Sequence, residues 1–383
     1  MDFSGKTQEI AALFAQNFLE FGEVGASVSI WHEGREIISL ADGFQDRQRT
    51  VPWTKDTAVL FWSATKALAA GTLLAVLEQE RVELDRNVAD IWPEFGAAGK
   101  RDITLTQLMS HQAGLPGLVD RSVSVFDHEA VCSALAQQTP LWKPGTQQGY
   151  HTRTFGFLLD EIVRRITGKT LGQMWRTLFA EPMNLEIFIG LPVDSAVSVA
   201  SVFPAKFSGA PPNSPFWRAM TDRESLTNLA FSTPAGLASV ASMNTAEARQ
   251  ASLPAMGGIG TAHALGKWYA MLAQGGEWDG RRYFSKSSVR EMSQIVSQGD
   301  DVVTLEQTAF SCGFMLDPIL QNGLKLRSVF GPSLLAFGHP GAGGSHAFAD
   351  PQNGISFAYV MNQMELGIFP NAKSLRLVEA LYS

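Results

Sequence analysis

Strand-like runs stand near both ends of this 383-residue chain and helix-like runs fill its middle, an arrangement that admits few folds. Near the start, Gly25 to Trp31 (GASVSIW) and Glu36 to Ala41 (EIISLA) flank the turn His32-Glu33-Gly34-Arg35, the pattern of a hairpin. Near the end, Ser311–Leu316, Leu334–Phe337, His346–Ala349 and Ile355–Met361 read as strands. Between them Leu105–Met109, Val131–Gln137, Phe155–Thr167 and Ala264–Ala273 carry helical spacing, as do residues 6–21 before them and Ala372–Tyr382 after. Such an order predicts an α+β fold: one central antiparallel sheet built from both termini and flanked by helices, plus an inserted all-helical domain. The expected division is residues 1–80 with 255–383 as a sandwich, and 81–254 as the mainly helical insert. The segment 193–253, rich in Ala, Ser and Pro, is expected to form loops lining a surface.

Composition excludes several function classes. Hydrophobic residues make up 45% and charged ones 17%, enough apolar material for a packed core. A net charge of −7 without a basic stripe argues against a nucleic-acid partner. Cys132 and Cys312 lie far apart without metal-type spacing and read as buried free thiols. There is no Gly-x-Ser-x-Gly and no His-Glu-x-x-His, and Gly168-Lys169-Thr170 lacks the earlier glycine of a P-loop, because residue 163 is Val163. No metal and no cofactor are expected. The most apolar stretch, Ala67 to Leu77, is too short to span a bilayer. Met1 to Lys6 shows no basic segment leading into an apolar one, so the expected location is cytoplasmic, without a membrane partner. Oligomeric state is not readable.

Chemistry gathers around Ser63-Ala64-Thr65-Lys66. Residues three apart share a helix face, so the serine oxygen and the lysine amine can meet. Ser63 stands where a helix begins, and first-turn N–H groups favour a developing oxyanion there. Lys66 is also the only ionisable side chain from Ser63 to Leu77. Burial in so apolar a helix would lower its pKa and free the amine to accept the serine proton. The plainer account is a capping serine followed by a lysine whose amine snorkels to solvent.

Two further elements complete a set. In Trp142-Lys143-Pro144-Gly145-Thr146-Gln147-Gln148-Gly149-Tyr150-His151-Thr152 a Pro-Gly turn delivers Tyr150, whose phenolate a nearby ammonium would favour. Alone, Tyr150 reads as a core aromatic. In Gly338-His339-Pro340-Gly341-Ala342-Gly343-Gly344-Ser345, small residues on a strand edge let a substrate reach backbone N–H groups. Alone, that run is a glycine-rich turn, and His339 a structural histidine.

Taken in order, Ser63-x-x-Lys66, Tyr150 and His339-Pro340-Gly341 resemble the serine β-lactamase and penicillin-binding-protein superfamily. Leu108–Pro116, Lys143–Thr146 and Gly258–Ala262 are similar to further landmarks of that group, so the resemblance covers nearly the whole chain. It implies a β-lactamase-like fold with the active site at the junction of the two domains. It also implies acyl transfer through a Ser63 acyl-enzyme, with Lys66 and Tyr150 as a base and acid pair of unassigned order. The oxyanion would be held by the N–H groups of Ser63 and Ala342. Thr152 stands where class C β-lactamases carry Asn, and His339-Pro340-Gly341 replaces their Lys-Thr-Gly. Those departures resemble the β-lactamase-like carboxylesterases of family VIII, which implies short-chain acyl esters of small molecules as substrates. Trp62, Thr152, His339 and Gly341 are the expected substrate-binding residues. Acyl transfer to another acceptor, amide or peptide cleavage and weak β-lactam hydrolysis would use the same acyl-enzyme and stay open, as does an inactive binding module.

Overall fold

A computed structural model describes residues 3–205 and 214–383. Its strands, in chain order, are β1 (Gly25–His32), β2 (Arg35–Gly43), β3 (Val59–Leu60), β4 (Ile187–Ile189), β5 (Gly258–Gly260), β6 (Glu277–Trp278) and β7 (Arg281–Arg282). The last six are β8 (Ser297–Asp300), β9 (Gln307–Phe310), β10 (Met315–Leu316), β11 (Phe337–Pro340), β12 (His346–Asp350) and β13 (Ile355–Met361). Eight of these form one antiparallel sheet in the order β2-β1-β13-β12-β11-β10-β9-β8. The N-terminal hairpin therefore joins the C-terminal strands through β1 and β13, in register from Ala26 opposite Met361 to His32 opposite Ile355.

Alternation along β13 explains how the sheet is covered. Phe357, Tyr359 and Met361 pack with Ile10 and Phe14 of the helix Ser4–Glu20 and with Leu377 and Leu381 of the helix Ala372–Tyr382. Ala358 and Val360 face the other way, into the core that holds Leu265, Trp268 and Leu272 of the helix Ala262–Ala273. Successive strand side chains point to opposite faces, so a strand buried on both sides reads as an unbroken apolar run. The expectation of a central antiparallel sheet flanked by helices holds.

The C-terminal strands are cut differently from the sequence reading. Ser311–Leu316 is not one strand: Ser311–Phe314 turn between β9 and β10, with Gly313 at φ 89° pressed against Ala70. Leu334 and Leu335 lie exposed ahead of the sheet, and β11 starts at Phe337, so His339 sits on the strand itself.

Within 193–253, where loops were expected, the described residues include the helices Pro215–Thr221, Leu226–Ser232 and Ala246–Gln250 and a 3-10 turn at Val240–Asn244; 206–213 lie outside the description, as do Met1 and Asp2. The signal for three of these elements was present. Ser225, Ser239 and Thr245 each cap a start, their side chains accepting the N–H three residues on. No helix among the described residues is long and apolar enough to cross a membrane.

Candidate active site

A three-stranded sheet, β3-β5-β4, sits beside the large one and fixes the start of the helix Thr65–Glu80. Phe61 N–H donates to the Gly258 carbonyl at 2.8 Å, and Gly258 N–H donates to Thr65 Oγ1, also at 2.8 Å. Thr65 Oγ1 in turn donates to the Trp62 carbonyl at 2.5 Å. A side chain at Gly258 would meet Thr65 Oγ1 at 2.7 Å, so this clamp requires glycine. Trp62 lies inside it at φ 53°, a left-handed conformation costing a non-glycine residue about 1–3 kcal/mol. Strain of that size, held by surrounding bonds, presents Ser63 in a 3-10 turn at the mouth of the helix.

From Thr65 to Leu77 this helix is buried on every face. Lys66 is wholly buried with it and does not snorkel. Its Nζ lies 3.2 Å from Ser63 Oγ, 2.7 Å from the Thr152 carbonyl and 2.9 Å from the Ala255 carbonyl. No carboxylate balances it in these contacts, and burial holds its pKa well below the ordinary lysine value. Thr152 thus reaches the site through its backbone carbonyl; its hydroxyl turns back toward the Tyr150 carbonyl, 3.5 Å away.

Tyr150 is placed by groups that sequence reasoning missed. Asp301, buried, accepts from the N–H groups of Tyr150, Val303 and Thr304 at 2.8–3.1 Å and from the Thr308 hydroxyl. His111 holds both neighbours of the tyrosine: its carbonyl accepts from Gly149 N–H and its Nδ1 from His151 N–H, each at 3.1 Å. His111 lies in a recognisable stretch, but Asp301 carries no local signal, being 151 residues from its partner.

The phenol differs from expectation. The Lys66 amine sits over the ring face, 4.7 Å from its centroid. Burial raises the Tyr150 pKa, with a side-chain hydrogen bond to Ser63 opposing and the Asp301 charge reinforcing it. The phenolate expected from a neighbouring ammonium is therefore not favoured, because burial disfavours charge on both groups.

β11 brings in the third element. Gly341 and Gly343 donate their N–H groups to the carbonyls of Ser345 and Gly367, while Ala342 between them lines a cavity with Ser63. His339 Nδ1 lies 2.8 Å from the Pro340 carbonyl, which makes it the protonated nitrogen. Burial, then the Lys66 charge, lowers the His339 pKa to about 3, so the ring is neutral.

The cavity measures about 100 Å³ and is lined by Trp62, Ser63, Tyr150, Thr152, His339 and Ala342, closed by Arg153, Phe231, Met256 and Ile368. Three of its buried polar atoms, Trp62 Nε1, Thr304 Oγ1 and His339 Nε2, have no partner among the described residues. Arg153 spends its guanidinium on the Pro234 and Leu237 carbonyls at 2.7 and 3.0 Å. A roomier cavity of about 550 Å³, beside β4, is lined by Trp175, Glu186 and Lys267 and contains none of these site residues. Of the residues singled out in the sequence, six therefore border one space; Gly341 stands behind it as a packing residue. Lys66 lies beneath it, against Ser63.

Residues 14–380 match the family model described as Beta-lactamase. The chain is 31% identical over 348 residues to the esterase/beta-lactamase LipL of Mycobacterium tuberculosis, covering 89% of this chain and 77% of that one. Among solved structures, a penicillin-binding protein homolog from Caulobacter crescentus superposes with a TM-score of 0.87 at 36% identity, covering 98% of this chain and 96% of its own. A family VIII carboxylesterase gives 0.86 at 35% identity over the same shares.

Proposed function

The chain belongs to the Beta-lactamase family of serine hydrolases, and within it we propose that this protein is a carboxylesterase cleaving short acyl esters of small molecules through a Ser63 acyl-enzyme. The observation that carries this reading is the set of three partners around Lys66 Nζ. A neutral amine has two N–H bonds and one lone pair. The Thr152 and Ala255 carbonyls take the two N–H bonds, which turns the lone pair to the Ser63 hydroxyl. Burial lowers the pKa of the amine, which favours the neutral form that can accept a proton.

In this mechanism Ser63 Oγ attacks the ester carbonyl carbon as its proton passes to Lys66. The N–H groups of Ser63 and Ala342 hold the oxyanion. The intermediate collapses, the C–O bond to the alcohol breaks, and Tyr150 gives its proton to the departing alkoxide and regains one from the Lys66 ammonium. Water then attacks the acyl-enzyme by the reverse route. Lys66 is the base and Tyr150 the acid in this reading, since the phenol is the group that stays protonated.

Substrate class follows from what lines the cavity. Its volume is far below the roughly 300–1,000 Å³ of sites for drug-sized ligands, which suits a short acyl chain. At the position where β-lactamases present a strand lysine stands a neutral His339, and the nearby Arg153 is engaged with carbonyls. Neither offers a free cation for a β-lactam carboxylate. The name of the M. tuberculosis relative pairs esterase with β-lactamase, so β-lactam hydrolysis through the same acyl-enzyme is the second reading.

Ser63→Ala is expected to abolish turnover of p-nitrophenyl acetate and covalent labelling by a fluorophosphonate. Turnover that survives the substitution would overturn the assignment. Comparing kcat/KM for p-nitrophenyl esters with that for nitrocefin separates the two readings.

A further inference from the structure

Away from Ser63, the helical region carries a side-chain cluster that ester hydrolysis does not use. His128 and Cys132 lie one turn apart on the helix His128–Gln137, and Glu161 reaches them from the helix Thr154–Thr167. One ligand atom from each falls within 4.8 Å of the others. His128 Nε2 is 3.3 Å from Cys132 Sγ and 3.1 Å from Glu161 Oε2. Those are close to the edges of a tetrahedron around an ion with bonds of about 2.3 Å to sulfur and about 2.0–2.2 Å to nitrogen and oxygen.

The surroundings match what such a site needs. His128 Nδ1 lies 3.3 Å from Asp160 Oδ2, so a carboxylate holds one ring nitrogen as the donor and turns the other inward. Asp160 is itself fixed, by Leu171 N–H at 2.5 Å and Arg164 Nε at 3.0 Å. Glu161 Oε1 accepts from Arg165 Nε at 2.7 Å, which leaves Oε2 as a single ligand atom. The thiol is buried, whereas the His128 and Glu161 side chains are 20% and 14% exposed, giving an ion a path from solvent. A bridge from the histidine to the two carboxylates would account for its ring contacts, and the one-turn spacing for the approach of the thiol, whose Sγ also lies 3.9 Å from the Phe157 carbonyl. A metal ion accounts for all three ligand atoms meeting at one point.

We propose that His128, Cys132 and Glu161 bind a zinc-type divalent cation that staples the helix 128–137 to the helix 154–167. Binding forms one bond each to Sγ, Nε2 and Oε2, and the thiol proton and the proton between Nε2 and Oε2 pass to solvent. The thiolate and Glu161 then neutralise the ion, while Arg164 and Arg165 balance Asp160 and Glu94. No sequence signature announces this site, because its third ligand comes from a different helix.

Cobalt(II) added to the chelator-treated full-length protein tests it. The expected result is a saturable thiolate-to-cobalt charge-transfer band in the near ultraviolet, displaced by zinc. The band should vanish in Cys132→Ser and persist in Cys312→Ser, and ester hydrolysis should survive in Cys132→Ser. No band in the wild type, or an equal band in Cys132→Ser, would overturn the proposal whatever the outcome at Ser63.

Discussion

The carbonyl oxygen of Phe61 occupies the space that a side chain on Gly341 would need: a Cβ there would fall 2.0 Å from that oxygen. Phe61 leads into the turn that carries Ser63, and Gly341 leads into Ala342. Their contact therefore sets the distance between the two amides proposed to hold the oxyanion. Gly341→Ala must push β11 away from that turn. We expect a loss of about 1–3 kcal/mol in stability from overpacking, with kcat down on the order of 10²-fold, the effect of removing one oxyanion donor. Thermal melting and ester kinetics measure both; an unchanged kcat would show that the spacing of these backbones is unimportant.

Lys66→Met removes the proposed base and relieves the burial of an amine. Turnover should fall by about 10²–10⁴-fold, while the variant stays as stable as the parent or becomes more so. The pH dependence has a definite sign. Lys66 has a folded-state pKa below its ordinary 10.5, so between those two values the unfolded chain holds the extra proton. Wild-type stability then gains with rising pH across that window, a gain the methionine variant lacks. The variant's advantage should narrow as pH climbs toward 10.5 and level off above it. Urea titrations at several pH values read this out, and parallel profiles for the two proteins would count against a depressed amine.

Phe231, Met256 and Ile368 close the cavity at Ser63, which is proposed to hold the acyl group. Shortening Phe231 to Ala opens one wall, and each methylene newly accommodated is worth about 0.8 kcal/mol. The ratio of kcat/KM for p-nitrophenyl octanoate over acetate should therefore rise in Phe231→Ala. An unaltered chain-length profile would place the acyl group elsewhere.

Local chemistry was legible where short-range geometry decides. Ile355–Met361 and Leu105–Met109 were readable to the residue, since apolar period and capping act within a few positions. The segment 193–253 was misjudged because its short helices are weakly periodic and announce themselves through Ser and Thr caps. Leu334–Phe337 failed because apolar residues alone do not say where a ladder begins; Leu334 and Leu335 turned out exposed and His339 inside the sheet.

By itself, the sequence determined that Ser63 and Lys66 share a helix face, since three residues make nearly one turn, and that this helix is too apolar to lie on a surface. Tertiary structure alone decided the surroundings on which the proposed roles of Lys66 and Tyr150 rest. The carbonyls that receive Lys66 come from positions 86 and 189 residues away, and Asp301 reaches Tyr150 across 151. Desolvation depends on everything packed around a group, not on its neighbours in the chain. Only the folded molecule could therefore lower the pKa of the amine and raise that of the phenol beside the same serine.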